Sequence, residues 1–227
     1  MKRFLLLLTA AFVPLTAFAQ SDKATRTLYL VRHGMYDSVK GADSKVANPL
    51  NPLGREQAEL VAARLAELPV KFDTIVSSEF TRARETGDII AAKLGMKCQR
   101  DPLLNESIPA YQPVDPRMIP LPGAEAQFDA AWASFSKPAT GESRAEVLAC
   151  HGNVIRWFVC KTLGIDPSHY VRMDIANASL TVIVIQANGS CSLMTYNDVS
   201  HVPLEKQTWF ALGNKPLWRA PAATPNK

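Results

Sequence analysis

The stretch Thr27-Leu28-Tyr29-Leu30-Val31-Arg32-His33-Gly34 decides how this chain is read. Its apolar, β-prone beginning predicts a short strand over 27–31, and Gly34 lets the backbone turn sharply just after an imidazole. A second run, Glu146-Val147-Leu148-Ala149-Cys150, leads in the same way into His151-Gly152. Ligands of open α/β sheets bind beyond the carboxyl ends of the strands. Two histidines at such ends therefore point to chemistry rather than packing, and both are expected in one crevice.

Outward from these two strands, strand and helix patterns alternate. Ala58, Val61, Ala62, Leu65 and Leu68 form one apolar stripe of a helix predicted over 55–68. A strand is expected over 72–77. A helix over 79–94 follows, with Phe80, Ala83, Gly87, Ile90 and Leu94 inward. After the third strand, 145–150, comes a helix over about 154–163. Segments 179–185 and 191–196 flank Ala187-Asn188-Gly189, a hairpin signal. This order predicts an α/β fold, a three-layer α/β/α sandwich with a mostly parallel central sheet and an antiparallel edge strand.

Two segments break the rhythm. Residues 36–52 are polar and irregular. Residues 101–123 hold Pro102, Pro109, Pro113, Pro116, Pro120 and Pro122, and a helix predicted over 124–135 follows. Loops of that length in a small domain are commonly functional. The loop and helix, about 101–137, are read as a cap over the crevice. No internal repeat is visible.

The chain has 227 residues and a formal charge of +4. Met1-Lys2-Arg3, a short apolar run and Ala17-Phe18-Ala19 make residues 1–19 read as a bacterial secretory signal, with Gln20 opening the mature chain. This implies a periplasmic or secreted protein with no stable membrane insertion after cleavage, the alternative being a retained N-terminal anchor. Residues 20–218 are expected to form one domain and 219–227 a frayed tail. Loss of Lys2 and Arg3 lowers the charge to +2. That excess is too small to indicate nucleic acid as a partner. Cys98, Cys150, Cys160 and Cys191 match no metal spacing; buried free thiols are expected, with a bridge between two of them as the alternative.

The groups that converge on the crevice are Arg32 and His33 from the first strand, Ser77-Ser78 and Arg82 after the second, and His151 after the third. Guanidiniums suit phosphate oxygens, and helix N-termini add oriented N–H donors. Arg82 is chosen over Arg84 because it lies nearer the strand end. With no acidic metal cluster, neither metal nor cofactor is expected. Histidine can take a phosphoryl group onto nitrogen, provided that neighbouring cations keep it unprotonated. The leaving oxygen then needs a proton. Glu106 is the candidate donor, with Glu125 and Glu142 as rivals.

Four motifs together resemble the histidine phosphatase superfamily, also called phosphoglycerate-mutase-like. They are Arg32-His33-Gly34; Leu53-Gly54-Arg55-Glu56-Gln57-Ala58; the run from Ser77 to Thr86; and His151-Gly152-Asn153-Val154-Ile155-Arg156. The likeness covers roughly residues 25–208 and is strongest to the mitochondrial serine/threonine phosphatase branch. The resemblance implies a phosphoglycerate-mutase-like fold and a metal-independent phosphomonoesterase. It makes His33 the nucleophile, assigns phosphate to Arg32, Arg82 and His151, and makes Glu106 the acid that then activates water. Met35-Tyr36, where many members carry an acidic or amide residue, disfavours a mutase. Gly152 after His151 separates the chain from the acid phosphatase and phytase branch.

The resulting expectation is an exported phosphatase acting on a phosphorylated small molecule or a phosphoprotein. The alternatives are a phosphoglycerate-mutase-type phosphotransferase and an inactive phosphate or phosphoprotein binder. The oligomeric state is left open. Tyr36 and Tyr111 can either line the pocket or simply pack. Trp132 is read as holding the cap helix to the body. His169 and His201 are read as loop or surface residues, and Arg156 as an ion-pair residue without a catalytic role.

Overall fold

A computed structural model describes residues 24–39, 41–43, 45–110, 120–213 and 215. The expected signal segment, the tail and Tyr111 lie outside them. Six strands form one sheet: β1 (Arg26–Arg32), β2 (Thr74–Ser77), β3 (Cys98–Arg100), β4 (Arg144–Cys150), β5 (Leu180–Ile185) and β6 (Cys191–Asp198), in the order β3-β2-β4-β1-β5-β6. The first four are mutually parallel, whereas β5 runs antiparallel to β1 and β6 antiparallel to β5. The antiparallel edge is thus a two-stranded hairpin, closed through Gly189 at φ +82°.

Side chains of a strand alternate between faces, and the two cores follow that alternation. Leu28, Leu30, Leu148 and Cys150 pack on one side with α4 (Gly152–Leu163) and α3 (Ala124–Phe135). Val31, Ile75 and Val147 pack on the other with α1 (Pro52–Glu67) and α2 (Thr81–Leu94). The central strands β1 and β4 are covered on both faces, as a parallel sheet requires.

Helix starts differ from the sequence expectation because capping decides them. Asn51 caps α1, its side chain accepting from Gly54 N at 2.9 Å, and Pro52 takes the first helical position, three residues before the expected start. In α2 the backbone N–H groups of Glu79 and Phe80 are used by Asn105 Oδ1 (2.9 Å) and Ser78 Oγ (3.1 Å), so helix begins only at Thr81.

Two readings are corrected. The helix expected to cap the crevice has the predicted bounds, but Phe128, Ala131 and Phe135 lie in the core. Phe128 meets Trp157 edge-on at 5.5 Å, Trp132 meets Phe158 at 5.4 Å, and no α3 residue lines the pocket. Burial of that apolar stripe outweighs any position over the crevice. His201 is a loop residue, as expected, though half-buried, and its Nε2 lies 2.9 Å from the Ala178 carbonyl. Arg156 makes no ion pair among the described residues; it binds carbonyls. All four cysteines are free thiols.

Candidate active site

The loop after β1 is fixed by backbone contact. A Cβ on Gly34 would stand 2.2 Å from the Gly54 carbonyl oxygen, and one on Gly54 would stand 1.8 Å from that of Met35. The two glycines let the Arg-His-Gly turn sit directly on the start of α1. Gln57, fully buried, accepts from Met35 N at 2.9 Å and donates to Lys206 O and Thr208 Oγ1. Gly34 N donates to Thr86 Oγ1 at 3.1 Å, and Asn177 Nδ2 donates to the His33 carbonyl at 3.0 Å. The motif residues Gly54, Gln57 and Thr86 therefore hold the loop.

Strand register then brings the two histidines together. Arg32 pairs with Cys150, His33 N donates to Cys150 O at 3.0 Å, and the imidazole centroids of His33 and His151 lie 5.1 Å apart. His33 Nδ1 is 2.8 Å from the Gly34 carbonyl, which can only accept, so Nδ1 carries the proton. Nε2 keeps its lone pair and accepts from Arg82 Nε at 3.3 Å. The Arg82 guanidinium is held over the rings of Tyr36 (4.7 Å) and Phe80 (5.1 Å).

Arg32, His33, Arg82 and Glu106 line one pocket with Tyr36, Ile108 and the start of α4 at Gly152 and Asn153. That helix end adds positive potential to the guanidiniums. Arg32 Nη1 donates to the Ile175 carbonyl, while Arg32 Nε is buried without a hydrogen-bond partner. Arg84 is exposed. Of the three candidate acids only Glu106 reaches the pocket. Glu125 accepts from Ala110 N at 2.6 Å, and Glu142 is exposed. His151, expected in the same crevice, does not line this pocket: it is fully buried against His33, between the rings of His33 and Phe80.

Burial and charge set the protonation states. Burial, then Arg82 and Arg32, hold the His33 imidazole well below its ordinary value. Burial does the same to His151, aided by Arg82, His33 and Arg32. Burial pushes the Glu106 carboxyl up against the pull of Arg82, Arg156 and Arg32. Burial also lowers Arg32 to about 10, with nearby Arg156 adding to the effect. The site thus pairs an unprotonated imidazole with a carboxylic acid that resists ionisation.

Arg156 and Asp174 also line this pocket, and neither was placed in the site from sequence. Arg156 donates to the carbonyls of Gly152 (3.2 Å) and Met173 (2.8 Å) and to Asn153 Oδ1. The one sequence feature tied to it, unused, is its spacing: Arg156 stands four residues after Gly152 and so shares its helix face. Asp174 follows no pattern that marks it. Among the described residues no group of three or more His, Cys, Asp or Glu side chains is placed to hold a metal ion, and no helix is long and apolar enough to cross a membrane.

Residues 28–149 and 139–199 match the family model of the histidine phosphatase superfamily, branch 1. The chain is 40% identical over 195 residues to the mitochondrial serine/threonine-protein phosphatase PGAM5 of Rattus norvegicus, covering 82% of this chain and 67% of that protein. Its Caenorhabditis elegans counterpart is 35% identical over 196 residues, covering 81% and 66%. Among solved structures, a phosphoglycerate mutase from Plasmodium falciparum superposes with a TM-score of 0.57 at 27% identity, over 80% of this chain and 96% of that one. These relatives overturn the expectation of a bacterial periplasmic or secreted protein: the phosphatases matched are mitochondrial proteins of eukaryotes.

Proposed function

Because this chain belongs to the histidine phosphatase superfamily and is a phosphatase, we propose that it hydrolyses phosphate monoesters through a phosphohistidine on His33 Nε2. The observation that carries this reading is the His33 tautomer. Its proton is held on Nδ1 by the Gly34 carbonyl, and its Nε2 lone pair stands beside Arg82 in the pocket.

In the first step Nε2 attacks phosphorus and the ester P–O bond breaks. The departing oxygen takes the proton of Glu106. Arg32 and Arg82 bind the phosphoryl oxygens and stabilise charge on them in the transition state, with His151 contributing from behind His33. In the second step the Glu106 carboxylate takes a proton from water, whose oxygen attacks the phosphohistidine. The P–N bond breaks, inorganic phosphate forms, and both residues return to their starting states. The substrate is a phosphorylated small molecule or a phosphoprotein. Relatives whose name is serine/threonine-protein phosphatase support trying phosphoserine and phosphothreonine peptides first.

Rapid acid-free quenching with a ³²P-labelled ester tests the proposal. An acid-labile, base-stable label on His33 is expected, absent from His33→Ala. Steady turnover with no such label, or an undiminished label in His33→Ala, overturns it.

A further inference from the structure

We propose that Asn105 and Ser78 are positioning residues that hold His151 in its Nε2–H tautomer, leaving Nδ1 as the nitrogen that keeps its lone pair. The inference rests on the reading of His151 as part of the phosphoryl site, but its geometry stands apart from any turnover.

The argument follows hydrogens one bond at a time. Glu79 Oε2 is paired with Lys45 Nζ at 2.9 Å, so it is a carboxylate and can only accept. Asn105 lies 3.2 Å from it through Nδ2. On its other side Asn105 Oδ1 accepts from the Glu79 backbone N–H at 2.9 Å. A carboxylate at one end and an N–H at the other fix the amide in a single orientation. Its oxygen therefore faces Ser78 Oγ, 2.8 Å away.

An amide oxygen has no hydrogen to give, so the single hydroxyl hydrogen of Ser78 goes to Asn105. Ser78 Oγ is left with lone pairs only. One accepts from Phe80 N at 3.1 Å. The other faces His151 Nε2 at 2.9 Å, and the proton of that bond must come from the imidazole. His151 Nδ1 is buried and has no hydrogen-bond partner.

Burial first, then Arg82 from α2, the His33 imidazole beside it and Arg32 from β1, oppose a second proton on His151. A phosphoryl dianion bound between the two guanidiniums offsets their part of that opposition. With the tautomer preset, Nδ1 is the nitrogen that keeps its lone pair, and the Nε2–H···Ser78 bond persists unchanged as charge develops in the pocket. No hydroxyl has to rotate as charge develops, which is the condition for electrostatic stabilisation without reorganisation. The opposite tautomer, with Ser78 donating to Nε2, would have to break that bond first. Asn105 thereby links the segment that carries Glu106 to the second imidazole of the site.

Long-range ¹H–¹⁵N spectra of the full chain labelled with ¹⁵N-histidine read the tautomer directly, without substrate. Wild type is expected to show neutral His151 protonated on Nε2. Asn105→Ala frees the Ser78 hydrogen to donate to Nε2, so the Nδ1–H form should become populated. A kcat loss on the order of tenfold is expected with KM little changed, the size of one lost hydrogen bond. Ser78→Ala removes the acceptor with a smaller deletion. It should mix the tautomers too, and it decides the matter if Asn105→Ala does not fold. An Nδ1–H imidazole in wild type overturns the proposal, as does a pure Nε2–H imidazole in either folded variant. A merely structural role for Asn105 would leave the tautomer unmoved. Because no turnover is involved, this result is independent of whether His33 is labelled.

Discussion

At Glu106 two influences oppose each other. Burial raises the carboxyl above its ordinary range, the guanidiniums of Arg82, Arg156 and Arg32 pull it down, and burial prevails. At His33 burial and the guanidiniums act in the same direction and lower it. The working form has Glu106 protonated and His33 unprotonated, so kcat/KM should trace a bell against pH. Protonation of His33 sets the acid limb, and ionisation of Glu106 sets the alkaline limb. Glu106→Gln should erase the alkaline limb and slow alkyl phosphates by about 10²–10⁴-fold, the usual worth of a positioned acid, with far less effect on activated aryl esters. Equal slowing of both ester classes would leave Glu106 without that role. The residues legible in the sequence are those whose place follows from local pattern: Arg32, His33 and His151 from strand ends, and Arg82 from the first turn after a strand. Glu106 was one of three candidate acids by spacing, and the resemblance singled it out over its two rivals, Glu125 and Glu142. Arg156 was not legible, because the carbonyls that aim it, above all that of Met173, are brought to it by the fold.

At the level of elements, the site depends on how closely the β1 turn approaches α1. The Gly34 and Gly54 backbones touch where any side chain would collide with a carbonyl, and a carbonyl cannot yield as a flexible side chain can. Gly54→Ala should therefore destabilise the fold by roughly 1–3 kcal/mol, the range for overpacking a filled site. It should also reduce kcat by about 10²-fold, since a shift of an ångström at reacting groups has that effect. Chemical denaturation and steady-state assays on the same preparation check both numbers; full activity in the variant would show that the contact does not position His33. Strands and helices with a long period were legible for the reason that makes them stable: one face of each is buried. The short strand β3, three residues without an alternating pattern, was not. The starts of α1 and α2 were misplaced because Asn51, Ser78 and Asn105 decide them through side-chain bonds, and the partner Asn105 comes from a distant part of the chain. The bounds of α3 were read correctly but its place was not, since an apolar stripe tells that a helix is buried and not against what.

For the molecule as a whole, a catalytic centre built from buried imidazoles makes stability depend on pH. His33, His151 and His201 all sit below their ordinary value of 6.5, in each case with burial as the largest cause. Below that value the unfolded chain takes up protons that the folded protein refuses. Stability from these groups is therefore fully present above about pH 6.5 and is lost as pH falls towards the folded values, by up to about 1.4 kcal/mol per pH unit for each histidine. Glu106 acts with the opposite sign. Its raised folded value means that the folded protein binds a proton first on acidification, which stabilises it between that value and the ordinary 4.5. Three histidines outweigh one carboxyl, so urea midpoints should fall steadily from pH 7 to pH 5. His33→Gln, which removes one of the refused protons, should make that fall shallower while abolishing turnover. The same pH slope in His33→Gln as in wild type would mean that the imidazole at the centre of the site is not held neutral by its surroundings, and the proposed nucleophile would lose its electrostatic basis.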